Sequence, residues 1–180
     1  AINNVRVKSE KYSIKFTIFR EIGMNIEAFN ELNKLYEDSS KINLKWHEND
    51  FAFDAISTEE NKKNYENGEL VTVIMGIHKW NKYFPLAVNS ILMQTHSNIE
   101  LIIFDDGSTK DDFKAYEKIC KDRRIKLIRN KKNMGIYYRR NQGIKIANGK
   151  YITFADSDDW SHPERIEKSI KGIANTQYEM

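Results

Sequence analysis

The sequence predicts an α/β fold: a mostly parallel, doubly wound sheet with helices on both faces, plus a small N-terminal α/β or helical extension. Three observations carry this. From Glu69 onward, four short β-rich apolar runs alternate with amphipathic segments. The runs are largely apolar at successive positions, as strands covered on two faces require. Each connection is long enough for a helix, which parallel neighbours need.

Residues 1–68 read as an N-terminal extension and linker, and residues 69–180 as the sheet domain. In the extension, Ile14, Phe16 and Ile18 alternate with polar residues and suggest a half-exposed strand. Asn25 caps a helix carrying Ile26, Phe29, Leu32 and Leu35 or Tyr36 at helical spacing. Residues 58–68 are polar and read as a linker or exposed helix end. No chemistry is evident in this third, and His47 reads as a surface or core histidine.

In the sheet domain the first strand is residues 70–75, followed by a helix with Pro85 in its first turn and an apolar stripe of Phe84, Val88, Ile91 and Leu92. Residues 99–104 form the second strand and end in Asp105-Asp106-Gly107-Ser108. Thr109 and Asp112 pattern a capping box for the next helix, through Phe113, Tyr116 and Cys120. Residues 125–128 are the third strand. Asn133-Met134-Gly135 turns the chain into a helix over 136–148, which Gly149 stops. Residues 150–155 form the fourth strand and run into Asp156-Ser157-Asp158-Asp159. Ser161-His162-Pro163-Glu164 then patterns a second capping box.

Composition bounds the function. With 180 residues, 40% of them hydrophobic, the chain is one medium domain or a domain with an appendage. It begins with Ala1 and reaches Met180 without a helix stop, so it reads as a piece of something longer, its sheet domain truncated at the C-terminus. No apolar run is long enough for a membrane span and no secretory signal opens it. The single Cys120 fits a reducing compartment and reads as a small buried hydrophobe. The implied location is cytoplasmic, with peripheral contact at the inner membrane face available through lysines. Between Lys121 and Lys150 there are eleven lysines and arginines and one acid, Asp122, within a chain of net charge +3. Such a block suggests an anionic partner, although most such side chains are simply solvated.

The chemistry concentrates at two strand ends. In a parallel sheet Asp105-Asp106 and the acids of 156–159 share the carboxyl edge, where ligands bind and where both clusters can converge on one ligand. Three carboxylates within four residues repel one another unless a cation or a phosphate-bound metal neutralises them; the bland alternative is a solvated turn. On a helical wheel Ile136, Arg140, Gly143, Ile144 and Ala147 share the sheet-facing stripe, with Arg139 at its edge and solvated. A guanidinium on that stripe must find a partner: a phosphate, the acidic clusters, or a structural ion pair with Asp156 or Asp158.

Seven segments now line up in order: Val71-Thr72-Val73-Ile74-Met75, Ser90-Ile91-Leu92-Met93-Gln94-Thr95, Glu100-Leu101-Ile102-Ile103-Phe104-Asp105-Asp106-Gly107-Ser108-Thr109, Asn133-Met134-Gly135, Arg140-Asn141-Gln142-Gly143-Ile144, Ala147-Asn148-Gly149-Lys150-Tyr151-Ile152, and Asp156-Ser157-Asp158-Asp159. Together they resemble the nucleotide-sugar-binding half of a family 2 glycosyltransferase with the Rossmann-like GT-A fold. The resemblance implies inverting transfer of a sugar from a nucleotide-diphosphate donor, a UDP-sugar first, to a glycan or lipid-linked acceptor in bacterial polysaccharide or glycoconjugate synthesis. It implies that Asp106 binds the pyrimidine base with Asp105 beside it, in the turn with Gly107 and Ser108. It implies that Asp156 and Asp158 hold the ribose and a Mn²⁺ or Mg²⁺ on the diphosphate, with Asp159 assisting. Arg140 would brace the phosphates or the acidic cluster. The general base is expected beyond residue 180, so the fragment alone is expected to turn over poorly.

Two positions depart from the pattern. His78 stands where a tyrosine is usual; it either stacks on the base or is an ordinary loop histidine. His96 stands where an aromatic is usual and reads as packing. The second reading is a non-catalytic nucleotide- or partner-binding module on the same fold. A nucleic-acid-binding domain built on the basic block with Tyr137 and Tyr138 ranks last, because it gives the aspartates no role. A dinucleotide dehydrogenase is disfavoured, since no Gly-x-Gly-x-x-Gly follows the first strand.

Overall fold

The computed structural model describes Lys15, Glu21 and residues 24–37, 44–46, 56–58 and 68–174. The chain divides into two compact units, Ala1–Asn61 and Lys62–Met180.

In the first unit, helix α1 (Asn25–Glu37) appears where the apolar spacing places it, with Ala28 and Phe29 buried and Ile26 exposed. A short antiparallel hairpin, β1 (Leu44–Trp46) with β2 (Ile56–Thr58), pairs Lys45 with Ser57. It was not expected; three-residue strands carry too little alternation to register. Of the segment read as a strand around Ile14 to Ile18, only Lys15 is described, and it is helical. Ile14, Phe16, Ile18 and His47 lie outside the described residues.

The second unit is the predicted parallel sheet, each strand reaching further toward its carboxyl end than the apolar run alone. The elements are β3 (Val71–Ile77), α2 (Phe84–Leu92), β4 (Ile99–Asp106), α3 (Lys110–Ile119), β5 (Ile125–Asn130), α4 (Ile136–Ile146), β6 (Tyr151–Asp156) and α5 (Arg165–Ala174). The order β5-β4-β3-β6 puts the first strand in the interior, and every pairing is parallel. The chain thus winds one way through β4 and β5 and returns to β6 on the other side of β3, which creates a switch point at β3's carboxyl end.

Alternation along β3 sorts the two faces. Val71, Val73, Met75 and Ile77 enter the larger core with Phe84, Val88 and Ile91 of α2, Tyr116 of α3 and Ile166 of α5. Ile74 enters a smaller cluster with Ile102 and Phe104, on the face that α4 covers. There a Cβ on Gly143 would lie 2.7–2.9 Å from three carbons of the Ile74 side chain, so only glycine lets α4 settle this close.

Two termini depart from the expected pattern: α4 ends at Ile146, with Ala147 already extended before Gly149 is reached, and α5 lacks its capping box. Thr109 and Asp112 form the capping box reciprocally, and Pro85 sits in the first turn of α2. The Ser161–Glu164 box does not form, because α5 starts only at Arg165. Residues 161–163 are tied to α2 and the segment after it instead: Ser161 N donates to Ser90 Oγ, Thr95 N to Pro163 O, and Gln94 Nε2 to His162 O. Tertiary partners take the groups that a cap would use.

Candidate functional site

Helix α4 lies over β3, and its two adjacent arginines reach sideways to the acids that end the flanking strands. Arg139 Nε donates to Asp106 Oδ1 on β4 at 2.6 Å, and Arg140 donates to Asp156 Oδ1 on β6 at 2.8 Å. Gly76 of β3 sits between them beneath Ile136, whose Cδ1 end would have to shift for an added Cβ. Asp106 and Asp156 therefore share the carboxyl edge and the α4 face, two strands apart and offset by two residues in register, roughly 12 Å between backbones.

The two arginines exchange the roles the helical wheel gave them. Arg139, expected to be solvated, is 3% exposed, whereas Arg140 is only half-buried. Ile144, expected to face the sheet, is 46% exposed. The wheel weighted the face by apolarity, but the inward face is set by Gly143 seating on Ile74 and by a carboxylate waiting for Arg139. An arginine goes inside when its charge is paired and its nitrogens have acceptors, and each nitrogen of Arg139 has one: Asp106 takes Nε, Gln142 Oε1 one terminal nitrogen at 2.7 Å, and Lys132 O the other at 2.6 Å.

Asp106 is similarly engaged. Besides Arg139 it accepts from Met134 N at 3.0 Å and Gly135 N at 2.8 Å. Burial pushes its carboxyl up, yet the Met134 amide, the Arg139 guanidinium and the Gly135 amide outweigh this, and the net displacement is downward. Its side chain is directed to the start of α4, not into a cation cage shared with the 156–159 loop, as the pairing of acidic strand ends had suggested.

Asp105 points to the opposite face and is fully buried. Its Oδ1 accepts from Ser108 N at 2.9 Å, while Arg129 Nε stands 3.9 Å from Oδ2. It pins the 105–108 turn, in which Gly107 has φ +86 and a Cβ would meet Asn133 N at 2.8 Å. Ser108 Oγ donates to His78 O and lies 3.1 Å from Tyr116 Oη. His78 is exposed, and its Nδ1–H donates to Asp106 O at 2.9 Å. Asp105, Asp106, Gly107, Ser108 and His78 thus form one bonded turn system. A cavity of about 160 Å³ opens beside it, lined by Gly76, Ile77 and His78 on one side and Asn133, Gly135 and Ile136 on the other, with Asp106 and Arg139 also in its lining. That is close to the roughly 150 Å³ that holds a single six-membered ring.

The 156–159 loop is different in kind. Asp156 is half-exposed and shared with Arg140. Asp158 and Asp159 are exposed, and their carboxylates make no described hydrogen bond or ion pair. Asn81 Nδ2, from the loop after β3, lies 3.4 Å from Ser157 Oγ and ties the two loops together. Among the described residues no three His, Cys, Asp or Glu side chains form a ready-made cage. Free carboxylates here suit a hard cation that keeps phosphate oxygens in its shell, since Mg²⁺ is commonly held by one or two carboxylates plus substrate phosphates.

Elsewhere the charges are structural. Of the eleven cations between 121 and 150, five are paired: Arg124 with Asp122, Arg129 with Asp105, Arg139 with Asp106, Arg140 with Asp156 and Lys150 with Glu69. Nearly half of the basic block is thus internal bracing. A larger cavity of about 800 Å³ lies at the opposite edge, between residues 97–100 and 122–126. Its acids are committed, Asp122 to Arg124 and Glu100 to Thr72 and Asn148. His96 is buried with Nε2 bonded to Glu69 O, the packing role expected of it. Cys120 is partly buried, and burial pushes its thiol up to about 11. No described helix is long and apolar enough to cross a membrane.

Comparison with known proteins converges on one family. A model of glycosyl transferase family 2 matches residues 72–180. An uncharacterized glycosyltransferase of Rickettsia conorii is 44% identical over 117 residues, covering 64% of this chain and 19% of the relative. The Escherichia coli protein UDP-Glc:alpha-D-GlcNAc-diphosphoundecaprenol beta-1,3-glucosyltransferase WfaP is 42% identical over 102 residues, covering 57% of this chain and 40% of the relative. Among solved structures, S. aureus TarS 1-349 in complex with UDP-GlcNAc superimposes with a TM-score of 0.52 at 27% identity, over 58% of this chain and 31% of that one. The matched region makes up between 15% and 42% of the length of these and similar curated relatives.

Proposed function

The chain belongs to glycosyl transferase family 2, and from that membership we propose that it is the donor-binding part of an inverting, metal-dependent glycosyltransferase. The donor is a nucleoside-diphosphate sugar, with UDP-sugars first. WfaP is named for UDP-Glc, and TarS structures contain UDP-GlcNAc and UDP. The acceptor is a hydroxyl of a glycan or lipid-linked saccharide, as in bacterial polysaccharide assembly. A lipid-linked acceptor would bring the enzyme to a membrane face, where the unpaired lysines of the basic block meet anionic headgroups.

The single observation that carries this reading is the division of labour at the carboxyl edge. Asp105 and Asp106 are consumed in building a turn and cavity wall, while Asp158 and Asp159 of the neighbouring loop stay exposed and unspent. The base would enter the cavity between residues 76–78 and 133–136, with His78 at its rim. The diphosphate would lie toward the 156–159 loop, where Asp156, Asp158 and Asp159 would hold Mn²⁺ or Mg²⁺. Such an ion would stabilise charge on the departing diphosphate. Arg140 holds Asp156 in place and adds positive charge on the phosphate side. In the transfer, the acceptor oxygen forms a bond to the anomeric carbon as the bond to the diphosphate oxygen breaks. The hydroxyl proton passes to a general base outside the described residues, and the nucleoside diphosphate leaves.

The second reading, a non-catalytic module on the same fold, is favoured in its partner-binding form by one feature: the Asp106 carboxylate has little capacity left for a base. Calorimetry with UDP, GDP, CDP and dTDP, each with and without Mn²⁺, tests both. The proposed function expects metal-dependent binding with UDP tightest. Absence of binding by every nucleotide, with or without metal, would reject it.

A further inference from the structure

Building on the nucleotide-binding reading, we propose that Arg139 is a positioning residue for the donor: through Asp106 it fixes the 132–135 turn as one wall of the carboxyl-edge cavity.

The start of α4 explains why such a device is needed. Gly135 is the N-cap and has no side chain to accept from the first-turn amides. Asp106, arriving from β4, takes instead the Met134 and Gly135 amides that lead into the helix, using both of its oxygens. Two successive amides and a helix N-terminus favour a carboxylate, but the amides alone leave its full charge buried. Arg139, one turn into the helix, neutralises it. The same guanidinium reaches back to Lys132 O, at the other end of the turn. One side chain therefore closes a ring: strand β4, the two amides, the turn's far end and the helix.

The closed ring sets the shape of the cavity. Asn133, Gly135 and Ile136 face residues 76–78 across it, where Gly76 is paired on both edges and Ile77 on one. The turn has no such ladder, and Arg139 is the group that ties it down. Lysine can meet Asp106 but cannot also reach Lys132 O with a forked, planar head. The proposal therefore separates charge compensation from wall positioning.

The test uses UDP with Mn²⁺ as the calorimetric ligand. It compares wild type, Arg139→Lys, Arg139→Gln, Asp106→Asn and the Asp106→Asn/Arg139→Gln double variant, each confirmed folded by circular dichroism. Amide hydrogen exchange at Met134 and Gly135 is read in parallel. Arg139→Gln is expected to weaken UDP by about tenfold and to speed exchange at both amides, since small displacements of a binding wall are costly. Arg139→Lys is expected to recover thermal stability without recovering affinity. In the Asp106→Asn background, Arg139→Gln should add less than about twofold, as residues acting through one another are non-additive. If Arg139→Lys and Arg139→Gln bind UDP as tightly as wild type, the pair is only a core ion pair and the proposal is wrong. An undiminished Arg139→Gln effect without Asp106 would also overturn it. If wild type binds no nucleotide while the amides still loosen in Arg139→Gln, the clamp exists but has no donor to position, and the family-based function fails first.

Discussion

Arg139 Nε and Asp106 Oδ1 meet at 2.6 Å with side chains only 4% and 7% exposed, so this ion pair lies inside the domain. Removing one partner of such a pair strands the other charge. Arg139→Ala is therefore expected to lower unfolding free energy by about 3–5 kcal/mol, read as a shifted midpoint in urea denaturation. A loss of under about 1 kcal/mol, the range of surface pairs, would mean that the pair is solvated in solution.

Acid should expose the same pair. The Asp106 carboxyl lies below its ordinary value of 3.8. Its contribution to stability is thus fully present above that value and is lost as pH falls through the lower, folded-state value. Asp106→Asn removes the proton-linked part, so the acid limb of the stability curve should flatten relative to wild type. An unchanged limb would assign acid sensitivity to other carboxylates, such as Glu100, whose value is also lowered.

Gly143 tests how closely α4 rides the sheet. A methyl there meets Ile74 along its side chain, not merely at its tip. Gly143→Ala should cost about 1–3 kcal/mol by overpacking. Ile74→Val in the same chain should return part of that loss, measured by a double-mutant cycle in denaturant. Simple additivity would place the helix further from β3.

Cys120 provides a negative control for reactivity. With its thiol pushed up to about 11 by burial, almost no thiolate is present at neutral pH. Modification by a chromogenic disulfide should be slow in the native protein and fast in denaturant. Rapid native labelling would show that the end of α3 opens.

How much of this was legible in the sequence depends on what each signal measures. The strand–helix alternation and the Thr109–Asp112 cap were readable because period and local chemistry decide them. The acidic edge was readable because parallel topology gathers strand ends. The β1–β2 hairpin was too short to carry a period. The inward turn of Arg139 was missed because a wheel ranks residues by apolarity, and an arginine's place depends on a carboxylate 33 residues away. One cue was present: Gly135 just before the helix leaves it without a side-chain cap, and Gly143 within it permits a close seat on the sheet. The start of α5 was misplaced for a related reason, since Ser161 and Thr95 spend their groups across the core.

The central claim is that the donor lies at the carboxyl edge, its base against residues 76–78 and 133–136 and its diphosphate at a cation on Asp158. Amide-resolved NMR with UDP, first without and then with trace Mn²⁺, tests it most directly. The account predicts UDP-induced shifts at His78, Gly135 and Ile136, with paramagnetic broadening centred on residues 156–159 and abolished in Asp158→Ala. Shifts and broadening centred instead on residues 97–100 and 122–126, at the opposite edge, would contradict it.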